Sequence, residues 1–234
     1  MDTNRSETTP SVVLVHGAWA DGSSWARVIE LLQVKGLKVL AAPIPLTSLS
    51  DDAAALERAL ERTEGPVVLV AHAYAGAVIG ASTADRVRSL VFIAALAPDE
   101  GETVADVFYR EQPHVKAPKL TPDAHGFIWM PADAFGDAFS QNASVQQSAI
   151  LAATQRPIAL KCIQQKSAKP AWKTKPSWYL LAQEDRMIAP ATQLLMAQRM
   201  GARIRSEEVD HMPLVTAPGS VAAMIFEAVD SLAA

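Results

Sequence analysis

The sequence has a single cysteine, Cys162, in 234 residues. That excludes an internal disulfide and fits a reducing compartment such as the cytoplasm. It has no basic run: 21 Lys and Arg stand against 25 Asp and Glu, a formal net charge of −4. Nucleic acid and anionic membrane surfaces are therefore poor partners. No apolar stretch reaches the roughly 20 residues that span a bilayer. Neither G-x-G-x-x-G nor a Walker A sequence occurs, so the common phosphate-cradling loops are missing. His114, Asp123 and His125 lack a metal-ligand spacing such as H-x-H or H-E-x-x-H and read as a solvated face. No metal and no cofactor is expected.

Aromatic residues make up only 6% of the chain, yet half of it is hydrophobic and 42 residues are alanine. The apolar material is small but sufficient for a full core, which excludes a disordered or fibrous protein. The length fits one domain, 1–234. The polar, acid-bearing start, MDTNRSETTP, reads as a flexible tail over 1–10 rather than a signal peptide.

Short β-branched runs recur with helical spacing between them. VVLV (12–15), KVLAA (38–42), VVLVA (67–71) and LVFIA (90–94) start 23 to 29 residues apart, the period of a βαβ unit. Helices are expected after Ser23-Ser24, after Ser50-Asp51-Asp52 and from about Ala75. The alternation stops over about 98–176, where prolines scatter and helices are expected near 133–139 and 145–154. It resumes with WYLLA (178–182), a helix from Pro190, a strand from Arg203 and a closing helix from about Pro218. Continuous apolar strands with a helix in each gap predict an α/β architecture: about six parallel strands covered on both faces, with a helical insertion between two of them. In such a sheet ligands bind beyond the carboxyl ends of the strands.

Four segments at those ends carry chemistry. Ala71-His72-Ala73-Tyr74-Ala75-Gly76 joins a strand to a helix through small residues, the geometry of an elbow that lifts a nucleophile clear of a sheet. Asp185, with Glu184 beside it as the alternative acid, follows the fifth strand and His211 the last. HGAW at the end of the first strand can aim the backbone N–H of Ala18 at a developing oxyanion, with the N–H of Tyr74 as second donor. Elbow, acid and histidine stand in the chain order of an α/β-hydrolase.

The phrases VLVHGAWADGSSW, PLTSLSDDAAAL, GPVVLVAHAYAGAVI, AWKTKPSWYLLAQEDRMIAP and DHMPLV resemble the α/β-hydrolase superfamily over almost the whole chain. They are most similar to a small bacterial esterase-like branch related to plant methyl esterases and hydroxynitrile lyases. The resemblance implies acyl transfer on small carboxylic esters or related acyl compounds. Asp185 would serve as acid, His211 as base, and Ala18 and Tyr74 as oxyanion donors. Members usually read G-H-S-Y-G/A-G at the elbow, so Ala73 stands where the resemblance implies a serine. Without that hydroxyl no acyl-serine can form, a loss on the order of 10⁶ in turnover.

Three readings stay open: a serine replaced by design in a working hydrolase, a natural serine-less member using His211 and Asp185 directly as a cofactor-free base for lyase or proton-transfer chemistry, and a small-molecule receptor. Trp19 and Trp129 are expected to face the substrate pocket, among insertion rings that include Phe108, Tyr109, Phe127 and Phe135. Ser23 and Ser24 read as helix caps, His16 and His72 as structural, and Cys162 as apolar filler. The chain is expected to be a monomer or homodimer.

Overall fold

The computed structural model describes residues 9–232; the first eight residues of the expected tail lie outside them. Six strands form one parallel sheet: β1 (Ser11–Val15), β2 (Lys38–Ala42), β3 (Val67–His72), β4 (Val87–Ile93), β7 (Ser177–Ala182) and β8 (Arg203–Glu207). Their order across the sheet is β2-β1-β3-β4-β7-β8. The inner strands β1, β3 and β7 are buried along their whole length. That burial is why they read as unbroken apolar runs with no alternation. The edge strands read differently. β8 carries Arg203, Arg205 and Glu207 on a half-exposed face, charges that discourage a further strand from adding to the edge.

Helices fill the crossovers: α1 (Ala26–Val34), α2 (Leu49–Leu60), α3 (Ala75–Gly80), and, beyond the insertion, α8 (Pro190–Arg199), α9 (Pro213–Thr216) and α10 (Pro218–Asp230). Local chemistry sets their starts. Ser48 caps α2, its Oγ accepting the Asp51 N–H at 3.0 Å, two residues earlier than the expected start. Near α1 the cap is neither serine. Asp21 precedes a short 3₁₀ turn, Gly22–Trp25, and its carboxylate accepts both the N–H (2.8 Å) and the hydroxyl (2.5 Å) of Ser23. A carboxylate satisfies two donors where a hydroxyl would accept fewer, so Ser23 is held by the cap rather than providing it.

Between β4 and β7 the chain leaves the sheet. It forms α4 (Val104–Phe108), a two-stranded antiparallel pair of β5 (Phe127–Ile128) and β6 (Ile158–Ala159), α5 (Ala132–Ala134) running into a π-helical turn (Phe135–Phe139), α6 (Val145–Thr154) and α7 (Leu160–Gln164). Reciprocal capping pairs, Thr103 with Asp106 and Ser144 with Gln147, start α4 and α6.

The chain steps from β1 outward to β2, then returns to β3 on the other side of β1. That reversal opens a crevice beyond the carboxyl ends of β1 and β3, the usual ligand position in an open α/β sheet. The backbone is strained there. Trp19, Leu46, Ala73 and Ala94, each shortly past one of the first four sheet strands, have φ of 57°, 61°, 49° and 43°. A non-glycine residue in this left-handed region costs on the order of 1–3 kcal/mol, and such residues cluster at functional sites.

Candidate active site

β3 ends at His72 and α3 begins at Ala75, so Ala73 and Tyr74 alone turn the chain. The strained Ala73 is held by its own backbone: its carbonyl accepts the N–H groups of Gly76 (3.1 Å) and Leu96 (2.9 Å), and its N–H donates to Ile93 O (3.3 Å). The turn is wedged between two neighbouring loops. A Cβ at Gly76 would lie 2.3 Å from the Leu96 carbonyl oxygen, and one at Gly17 would lie 2.9 Å from the Ala73 Cβ. Both positions therefore need glycine, the first for a close backbone approach and the second to leave room beside residue 73.

His211 and Asp185 meet from separate loops. The His211 Nδ1–H donates to Asp185 Oδ2 at 2.8 Å, and both side chains are buried. Asp185 is fully engaged: Oδ1 accepts the Met187 (2.7 Å) and Ile188 (2.9 Å) N–H groups, and Oδ2 also accepts the Gln193 Nε2–H (2.8 Å). This fixes the tautomer of His211 with its proton on Nδ1, leaving a lone pair on Nε2. Nε2 has no hydrogen-bond partner among the described residues. Glu184 is turned elsewhere, its Oε2 accepting the Asn142 Nδ2–H at 2.8 Å. Of the two neighbouring acids, Asp185, the one expected from the sequence, reaches the imidazole and Glu184 does not.

Two further histidines support the site from beneath. His72 donates its Nε2–H to the backbone carbonyl of His211 (2.8 Å), tying the elbow strand to the loop of the base. His16 donates its Nδ1–H to the Gly17 carbonyl at 2.9 Å. Burial holds His72 well below the ordinary histidine range, with the nearby His211 adding to the effect, and burial lowers His16 to about 4. Both are folded in as neutral rings. The unfolded chain takes up these protons near pH 6.5, whereas the folded chain resists, so stability is full above that value and falls as pH drops below it. Between pH 7.5 and 5 each ring contributes a loss of up to about 2 kcal/mol. Asp52 and Asp210, both raised by burial, work in the opposite direction, gaining stability as pH falls through their raised folded values towards about 3.8. The expected result is a lower melting temperature at pH 5 than at pH 7.5; equal or higher stability at pH 5 would contradict it.

Ala73, Tyr74, Ala18, Trp19 and His211 line one cavity, together with Leu96, Met187, Ile188 and residues of the 98–176 insertion, among them Val104, Phe108, Tyr109, Ile128, Ile158 and Ile163. It encloses about 610 Å³ of atom-free space, its mouth included, and none of its described lining residues is Lys, Arg, Asp or Glu. Neither the Ala18 nor the Tyr74 backbone N–H donates to an acceptor among the described residues. Trp19 is pinned to the covering segment twice, its N–H donating to Arg156 O and its indole Nε1–H to Ile128 O, both at 2.9 Å.

Trp129 is a correction. It is 51% exposed and does not line the cavity. Ile128 takes the inward position, because successive residues of an extended strand point to opposite faces. Phe127 is likewise outside the lining, and Phe135 is buried edge-on against Phe139 (centroids 5.1 Å apart). Cys162 is buried, with its thiol pushed up to about 12 by burial and the nearby Asp52.

Several residues of the site carried no recognisable sequence signal. Asp52, fully buried on α2, accepts the Tyr74 hydroxyl at 2.6 Å and the Leu46 N–H at 2.6 Å, anchoring the side chain of the second elbow residue. Gln193 holds Asp185. Phe139 packs against the His211 ring (centroids 5.2 Å) and edge-on against Trp19 (6.3 Å). Just beyond it, the Asn142 N–H donates to Asp210 Oδ2 (2.9 Å) and Gln141 Nε2–H to Glu184 O (2.7 Å). The 135–142 stretch thus grips the residue preceding the base and the residue preceding the acid.

A parallel sheet wound on both sides, with a strained strand-to-helix elbow facing a carboxylate-held histidine across an apolar cavity, defines the α/β-hydrolase fold. The chain belongs to the alpha/beta hydrolase family, whose profile matches residues 12–224. No curated protein sequence matches it. Among solved structures it is similar to a pyrethroid hydrolase from Sphingobium faniae (TM-score 0.82, 18% identity, covering 97% of this chain and 99% of that one). It is also similar to polyneuridine aldehyde esterase (0.76, 18%, 94% and 98%). A third is an extracellular α/β-hydrolase from a Paenibacillus species (0.77, 20%, 94% and 98%). No helix among the described residues is long and apolar enough to cross a membrane.

Proposed function

We propose that the protein is an esterase-like member that takes small, uncharged carboxylic esters or related acyl compounds into the cavity above Ala73. His211 is its base, Asp185 orients and steadies the imidazole, and the Ala18 and Tyr74 N–H groups receive the carbonyl oxygen. The insertion over about 98–176 acts as a lid that excludes water. One observation carries the reading: the free Nε2 of His211, two unpaired backbone N–H groups and an otherwise apolar wall share a single cavity. An apolar cavity with a few convergent polar groups is the usual form of a small-molecule site. A wall without cations penalises a carboxylate, which would lose its hydration without a countercharge. The esterase and methylesterase names of similar structures, including a methylesterase from Arabidopsis, agree in kind.

In the ordinary serine mechanism the base would take a hydroxyl proton, the oxygen would attack the carbonyl, and the N–H pair would hold the resulting oxyanion. At Ala73 that oxygen is replaced by hydrogen. The protein as it stands is therefore expected to bind esters without turning them over through an acyl-enzyme.

Calorimetric titration with p-nitrophenyl butyrate and with butyrate tests this. The expected result is saturable binding of the ester, at least tenfold weaker binding of the carboxylate, and no burst of p-nitrophenol. Equal affinity for the two, or no binding of the ester, would refute it.

A further inference from the structure

Replacing a serine by alanine removes more than a nucleophile. Ala73 and His211 line the same cavity, so a serine hydroxyl at position 73 is expected to engage His211 Nε2, whereas a methyl group leaves that lone pair open to bound substrate. Asp185 keeps the proton on Nδ1 at 2.8 Å, so Nε2 is a base and not a donor. The same cavity presents the unpaired N–H groups of Ala18 and Tyr74. A base and an oxyanion receptor without a nucleophile between them are the parts that enolisation requires.

We propose that the protein, as it stands, catalyses cofactor-free proton transfer at a carbon next to a carbonyl group, with His211 as the catalytic base. The proposal rests on the pocket reading above, since the same cavity must take an uncharged carbonyl compound.

The step balances without any co-reactant. His211 Nε2 takes the proton from the carbon, and the C–H electron pair becomes the C=C bond of an enolate. The carbonyl π pair moves to oxygen, where the Ala18 and Tyr74 N–H groups hold the charge. Asp185 stabilises the imidazolium through Nδ1–H. Return of the proton to the same carbon, or to another position of the enolate, completes the cycle.

Two features define the substrate class. Neutral imidazole is a weak base, so the C–H must be activated by two carbonyls or an equivalent group. The lining lacks a cation, so the substrate must be uncharged before reaction and its charge must develop only beside the two N–H groups. Uncharged β-keto esters and β-diketones meet both conditions.

The test is deuterium exchange at C2 of ethyl 2-methylacetoacetate in D₂O, followed by proton NMR, with binding of the same compound measured by calorimetry. The expected rate exceeds that of an equal concentration of free imidazole by at least about 100-fold, the lower end of what a positioned base contributes. His211→Ala should return it to the free-imidazole level. Ala73→Ser, a small change that leaves the hydrogen bonds of the fold intact, should lower the exchange at least tenfold, because the new hydroxyl donates to Nε2.

Exchange at the free-imidazole rate in a protein that binds the keto ester overturns the proposal and leaves the pocket reading standing. Failure to bind any uncharged carbonyl compound overturns both. Exchange unchanged by Ala73→Ser would also overturn it, since the base in use would then lie elsewhere.

Discussion

Ala73→Ser is expected to raise kcat/KM for uncharged aryl esters by at least about 10³-fold, which is about 4 kcal/mol of transition-state stabilisation. Residue 73 already has φ of 49°, so the cost of the elbow conformation is borne whichever side chain is present. Gly17 leaves the space beside its Cβ free. His211 offers an unpaired Nε2, and Asp185 already holds the ring in the tautomer that accepts a hydroxyl proton. The N–H groups of Ala18 and Tyr74, the proposed oxyanion donors, need no rearrangement, because neither is engaged by another described residue.

Losing the serine of a hydrolase costs on the order of 10⁶, and oxyanion hole and binding alone retain roughly 10³–10⁴ over water. A thousandfold gain is thus the smallest consistent with a fully assembled site. Steady-state release of p-nitrophenol from short esters measures it. A gain below about a thousandfold would mean that the base or the oxyanion pair is out of place.

Gly76→Ala should be the most damaging single methyl group in the molecule. The added Cβ would sit 2.3 Å from the Leu96 carbonyl oxygen and 3.1 Å from the Ala95 Cβ, well inside contact distance. Neither neighbour can yield easily. Leu96 N–H is bonded to Ala73 O, Ala94 N–H to Leu180 O, and the Ala95 carbonyl accepts the Tyr179 hydroxyl.

Relief requires separating α3 from the loop after β4, which also frees the elbow. A loss of at least about 3 kcal/mol is expected, the range of severe overpacking. Gly219→Ala makes the comparison: it lies in the first turn of α10, with nothing within 4 Å of the added carbon. There the same change should be neutral or stabilising by up to about 1 kcal/mol. Chemical denaturation of the two variants measures the difference. Near-equal midpoints would show that the elbow is not packed as described.

The inner strands were legible in the sequence because they are buried along their whole length. Val12–Val15 and Val67–Val70 have no exposed face, so hydrophobicity alone marks them, and the βαβ period follows from the helices between. The segment between β4 and β7 was less legible. α6 was readable as a helical stretch over 145–154, but β5 is two residues long. Which of Ile128 and Trp129 faces inward depends on pairing with Ile158 and Ala159, some thirty residues away.

The same limit hid Asp52 and Gln193. Each is a polar side chain on an otherwise ordinary helix, and its importance lies in a partner across the fold: Tyr74 for one, Asp185 for the other. Asp21 was overlooked for a nearer reason. Serines stood closer to the helix, and the 3₁₀ turn that shifts the cap outward leaves no mark in composition.

None of the hydrogen bonds that position His211, Asp185 or the elbow backbone uses the side chain of residue 73. His72 holds the base through a main-chain carbonyl, Asp185 through an imidazole nitrogen, and the turn through peptide groups. The reacting side chain is therefore an interchangeable fitting in a frame that stands without it. On the proposed chemistry, exchanging alanine and serine at this one position would switch the site between base-only and nucleophilic work while leaving those contacts in place.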